Sequence, residues 1–244
     1  MQHLLIINPN TTVEVTRRMV DAMAPLLGSS VAVSTATARF GADFIASEAA
    51  YAIAAHAALD AWADHSGPLD GVLLGCFGDP GVEALRELLP VPVIGLAEAA
   101  MREAAARGRF AIVTGGPRWP AMLERLARQL GLDSALQRVH CVERTGGQLA
   151  ADPAAAIELL AEACRQAGHG GQVDTVILGG AALAGMAEQV APRLDVPLLD
   201  NVACGARTIV DLMRAGPGRA PGPDGARYSG LSAGLTARLR PAAG

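Results

Sequence analysis

Cys76 stands between Gly75 and the run Phe77-Gly78-Asp79-Pro80-Gly81, just after the apolar stretch Gly71 to Leu74. A free thiol titrates at about 8.5, and the N-terminus of a following helix would favour its thiolate, so a modest downward shift would make it a proton acceptor near neutral pH. Burial in a core is the commoner fate of a cysteine. Here the strand-end position, beside flexible glycines and Asp79, argues for chemistry. Asn8-Pro9-Asn10-Thr11-Thr12 also follows an apolar strand and precedes a helical stretch. Its amides, hydroxyls and backbone N–H groups could hold a carboxylate or imide oxygen, and the same residues serve equally as a plain cap and turn. Thr114-Gly115-Gly116 and Gly179-Gly180-Ala181 occupy two further strand ends.

The other candidates are weaker. His140 and Cys141 are neighbours in a strand-like patch, where adjacent side chains point to opposite faces. Cys164 lies within an amphipathic helical stretch and reads as packing. Cys204, one turn beyond Asp200, lies near the start of a helix and could approach a cleft. The histidines form no spaced metal set. Thr114-Gly115-Gly116-Pro117 lacks the Lys-Ser/Thr of a nucleotide loop, and no GxGxxG is present.

The elements that must position these groups read as a parallel α/β protein. Apolar runs at Leu4 to Ile7, Val31 to Val33, Gly71 to Leu74, Val91 to Ile94, Phe110 to Val113, Thr175 to Leu178 and Val196 to Leu199 alternate with helical stretches. The helical stretches are Glu48 to Trp62, Glu98 to Arg107, Ala121 to Leu130, Pro153 to Gln166 and Val202 to Met213. Asp152-Pro153 has the form of an N-cap followed by proline at the first helical position.

An internal duplication organises the chain. Leu74-Gly75-Cys76 answers Leu178-Gly179-Gly180 at an offset of 104, Val91-Pro92-Val93 answers Val196-Pro197-Leu198 at 105, and Leu5-Ile6-Ile7 answers Ala111-Ile112-Val113 at 106. The expectation is two similar parallel-sheet α/β subdomains related by a pseudo-twofold axis, residues 1–97 plus 203–244 and residues 98–202. Ligands of open α/β sheets bind outside the carboxyl ends of the strands, so the site is expected in the interdomain cleft. Loops around Phe40, Phe44 and Trp119 would set specificity, and residues 215–225, rich in Gly and Pro, would form a flexible loop.

Composition narrows the function classes. Apolar residues at 51% against 18% charged, over 244 residues, suffice for a large core. Aromatics are only 3%, so that core must be aliphatic. A net charge of −4 without basic runs argues against nucleic acid as a partner. Four cysteines spaced 65, 23 and 40 apart fit neither a metal pair nor a disulfide framework and suggest reduced thiols in a cytosol. No apolar run approaches the roughly 18–20 residues that span a bilayer, so no membrane role is expected.

Ile7-Asn8-Pro9-Asn10-Thr11, Gly75-Cys76-Phe77-Gly78-Asp79-Pro80-Gly81, Pro92-Val93-Ile94-Gly95 with Glu98-Ala99-Ala100, and Ile177-Leu178-Gly179 resemble hydantoin and allantoin racemases of the Asp/Glu racemase superfamily. The resemblance covers nearly the whole chain. It implies a duplicated α/β fold, no metal or coenzyme, a small carboxylate or cyclic-ureide substrate, and association into a homo-oligomer. It also implies one cysteine from each half, on opposite faces of a substrate carbon, with Cys76 as the first. Asn8, Pro9, Asn10, Thr11, Phe77, Gly78, Asp79, Thr114, Gly115, Gly179, Gly180 and Ala181 would then surround the substrate. The slot of the second cysteine holds Gly180. A racemase would therefore need water, Cys204 or another group as second base. Arylmalonate-decarboxylase-like relatives, which use one cysteine and carry Gly in the other slot, provide an alternative, and a non-catalytic anion binder is a third.

Overall fold

The computed structural model describes residues 1–240; residues 241–244, which the sequence reading placed in the first subdomain, lie outside the described part. The first half runs β1 (Gln2–Asn8), α1 (Val13–Leu27), β2 (Val31–Thr37), α2 (Glu48–Ala63), β3 (Gly71–Leu74), α3 (Val82–Leu88), β4 (Val93–Gly95) and α4 (Leu96–Arg107). The second half runs β5 (Phe110–Gly115), α5 (Trp119–Gln129), β6 (Leu136–Val142), α6 (Gly146–Ala151), α7 (Pro153–Gly168), β7 (Thr175–Leu178), α8 (Ala187–Val190), β8 (Leu198–Asp200) and α9 (Asn201–Ala215). A last helix, α10 (Ala233–Arg238), packs on α2.

Both sheets are parallel and four-stranded, ordered β2-β1-β3-β4 and β6-β5-β7-β8. This is the duplicated α/β architecture implied by the repeat, down to single hydrogen bonds. The Gly75 N–H donates to Ile7 O at 2.7 Å and the Gly179 N–H to Val113 O at 2.8 Å; Val72 N–H to Pro92 O and Val176 N–H to Pro197 O are both 2.9 Å.

The central strands read as unbroken apolar runs because both of their faces are covered. Successive side chains alternate between layers. Leu4, Ile6, Leu73, Ile112 and Ile177 face the core shared by the two sheets, with α1, α4 and α9 filling it. Leu5, Ile7, Val72 and Leu74 face the outer layer of the first half, and Ala111, Val113, Val176 and Leu178 that of the second. β6 is a half-exposed edge strand carrying Gln137, Arg138 and His140, so it has no apolar run.

The helix after the fourth strand of each half crosses over. From the first half, α4 reaches β7 and β8, while α9 packs on β3 and β4 and against α4. Local chemistry sets the helix starts. Ser47 Oγ accepts Ala50 N–H at 3.2 Å, Asp152 accepts Ala155 N–H at 3.3 Å ahead of Pro153, and Thr145 with Gln148 forms a capping box.

Candidate active site

The carboxyl ends of β1, β3, β5 and β7 converge on a cavity of about 60 Å³ between the halves. Asn10, Gly75, Cys76 and Phe77 line it from the first half, and Thr114, Gly115, Gly179, Gly180 and Ala181 from the second. Cys76 is 6% exposed. It is the only titratable side chain among the described residues of the lining; Asn10, Thr114 and Thr145 supply the other polar side chains.

The thiol departs from expectation in one respect. Burial, helped by the nearby Asp79, pushes Cys76 well above the usual thiol range instead of favouring the thiolate. The helix that follows does not begin at the cysteine: the turn through Gly78, Asp79 and Gly81 intervenes, and α3 starts only at Val82.

Five of the expected substrate-binding residues do not line the cavity. The Asn8 amide, fully buried, donates to Asn10 Oδ1, Thr12 O and Thr16 Oγ1 at 2.9, 3.1 and 3.0 Å, so it knots the loop after β1. Pro9 is buried within that loop, and Thr11 N–H donates to Ala42 O at 3.1 Å. Gly78 lies under Trp119, whose ring a β-carbon there would approach to 2.5 Å. Asp79, 2% exposed, accepts the N–H groups of Ala97 at 2.9 Å and Glu98 at 2.7 Å at the start of α4. These residues hold the site without facing it. Desolvation nevertheless raises Asp79 to about 7, against the two N–H bonds that lower it.

Residues 38–47, between β2 and α2, form a strap that crosses to the second half. Phe44, Ile45 and Ala46 from this strap line the cavity, with Trp119, Thr145, Gly146, Ala182 and Leu183 opposite. A β-carbon on Gly147 would come within 2.5 Å of the Phe44 ring. Glu48 pairs with Arg125 at 2.6 and 3.0 Å, and Tyr51 Oη donates to Gly78 O at 2.8 Å. Phe44 and Trp119 therefore sit where specificity was expected, but Phe40 does not: it stacks edge-on against His56, 5.0 Å away. Thr145 and Gly146 were missed, although the Thr145-x-x-Gln148 capping signature was visible in the sequence.

Cys204 does not line the cavity. It is fully buried on α9, where Arg207 donates to its sulfur at 3.4 Å, and desolvation and Glu103 both push its thiol up. Cys141 and Cys164 also lie away from the cavity lining. No cluster of three metal-ligating side chains occurs among the described residues. Nor is any helix there long and apolar enough to cross a membrane.

The pattern of Asp/Glu/hydantoin racemases matches residues 4–209. The chain belongs to this family. It is 30% identical over 216 residues to the hydantoin racemase of Paenarthrobacter aurescens, covering 87% of this chain and 92% of that one. Its structure is similar to that of the allantoin racemase of Klebsiella pneumoniae, with a TM-score of 0.90, 28% identity, and coverage of 96% and 99% of the two chains. The allantoin racemase of Pseudomonas fluorescens gives the same TM-score at 26% identity, covering 94% and 100%. By the repeat offset of 104 Gly180 is the counterpart of Cys76, and both line the cavity. Gly180 has φ +136°, a conformation that L side chains rarely adopt, and Cys76 has no such constraint.

Proposed function

We propose that this racemase-family protein moves a proton at the acidic carbon of a small, uncharged cyclic ureide of the hydantoin type, without a cofactor, using Cys76 as acid and base on one face. One observation carries the reading: a single thiol lines an inter-half cavity that has no charged side chain. Burying an unpaired charge is costly, so such a lining suits a neutral ring better than an amino-acid zwitterion or a dicarboxylate. The names of the relatives point the same way.

In this reading the small fraction of Cys76 present as thiolate removes the C–H proton. The electron pair passes onto the neighbouring carbonyl oxygen, where the Asn10 amide and the N–H groups of the glycine turns can hold it. Re-protonation on the same face restores the substrate, and re-protonation on the other face inverts it.

A second reading is favoured by Gly180 and by the protonated state that burial imposes on Cys76. A neutral thiol is the right donor for a carbanion made by loss of CO2. The test is incubation in D2O with 5-substituted hydantoins, allantoin, amino acids and arylmalonates. Deuteration and inversion of a hydantoin at otherwise constant mass is the expected outcome. Release of CO2 from a malonate selects the second reading, and no turnover of any compound contradicts both.

A further inference from the structure

We propose that Thr114 is the positioning residue for the second face, holding through its hydroxyl a water molecule that serves there in place of a thiol. The inference rests on the proton-transfer reading of Cys76 given above.

Two observations meet at this point. By the offset of 106, Thr114 is the counterpart of Asn8. The Asn8 side chain is used up in loop hydrogen bonds, whereas Thr114, 3% exposed and lining the cavity, makes no side-chain hydrogen bond to protein among the described residues. The oxygen is not sealed in protein as the orphaned Thr175 Oγ1 and Asn201 Oδ1 are; it is open to the cavity and is suited to a bound partner there. The second observation concerns Gly180, the counterpart of Cys76. A β-carbon built there would lie 3.8 Å from Thr114 Oγ1 and no closer than 3.4 Å to Leu183. An oxygen one bond beyond that position, on the Thr114 side, falls within hydrogen-bond reach of the hydroxyl. A water needs about 10–15 Å³ of such space, and the cavity has about 60 Å³.

The step balances as follows. Cys76 thiolate takes the C–H proton and becomes S–H, and the electron pair moves to the carbonyl oxygen. The water accepts or donates one hydrogen bond with Thr114 and passes a proton from its other O–H to the opposite face of the carbon, leaving hydroxide. The proton on Cys76 then neutralises that hydroxide through solvent, which restores thiolate and water.

The experiment starts from one enantiomer of a 5-substituted hydantoin in D2O and follows two products, the deuterated starting enantiomer and the deuterated inverted one. In Thr114→Val the ratio of inversion to exchange with retention is expected to fall at least about tenfold, whereas Thr114→Ser keeps it. The ratio is internal to each sample, so partial misfolding does not move it, and Thr114→Ala is read in the same way if the valine variant fails to fold. An unchanged ratio, including a parallel loss of both products, overturns the inference while leaving Cys76 in place. A parent protein that exchanges nothing overturns the reading of Cys76 and this inference with it.

Discussion

The turns after β3 and β7 occupy equivalent places in the two halves and do different work. Each leaves its strand through a glycine bonded to the same place on the neighbouring strand, and each is followed by a strand whose end begins a helix. In the first, Asp79 reaches over Gly95 to accept the N–H groups of Ala97 and Glu98. In the second, Leu183 stands at the position of Asp79 and packs into the outer core, while Asp200, the counterpart of Gly95, caps α9 itself through Val202 and Ala203 at 2.7 and 3.0 Å. The two capped N–H groups are equivalent by the repeat, but the carboxylate comes from the reactive turn in one half and from the strand end in the other. A side chain on residue 95 would collide with the Asp79 carboxylate, which explains the glycine there. The Cys76 turn is thus tied to α4 by a carboxylate that it carries itself, whereas the Gly180 turn is tied through the Gly185 N–H to a carboxylate outside it, Asp200, and offers space in place of a reactive group.

The largest test of this asymmetry is Cys76→Ser. Removing the acid/base group should lower turnover by about 10²- to 10⁴-fold, with an unchanged thermal midpoint, measured by polarimetry alongside melting. The pH profile comes next. With burial holding Cys76 protonated, racemisation should rise close to tenfold per pH unit through neutral pH, since the thiolate fraction limits it. A profile flat from pH 6 to 8 would instead fit a reaction in which the thiol acts only as an acid.

Gly180→Ala probes the other turn. At φ +136° a β-carbon is strained although it has room, so denaturant unfolding should show a loss of about 1–3 kcal/mol. The smallest effects separate the two caps. Asp79→Ala and Asp200→Ala should each cost about 0.5–2 kcal/mol, but only the first should also slow turnover. Asp79 has a further signature in pH. Its raised value means that the native state binds the proton that the unfolded state has lost between about pH 4 and 7, so stability falls as pH rises through that window. Asp79→Asn should flatten this slope in denaturation curves recorded from pH 5 to 8.

Much of this is legible in the chain itself. Buried central strands announce themselves as apolar runs, and the repeat offsets located the duplication and set Gly180 against Cys76. What stayed hidden depends on direction and on contacts across the cleft. Asn8 and Asn10 are the same residue type two positions apart, yet the first turns into its loop and the second faces the cavity. Asp79 reads as a polar residue beside a thiol, and its reach to α4 is visible only in three dimensions. The strap through Phe44 is placed by Gly147 and Arg125, over 75 residues away in the chain, so no local pattern could announce it.

The central claim is that one thiol, on one side of the cavity, has no titratable counterpart across from it. It is tested most directly by the initial rate of C–H to C–D exchange with retention, measured in D2O for each pure enantiomer of a 5-substituted hydantoin. The account predicts retention exchange for the enantiomer whose hydrogen faces Cys76 and at least about tenfold less for its mirror image. Equal retention exchange for both enantiomers would contradict it.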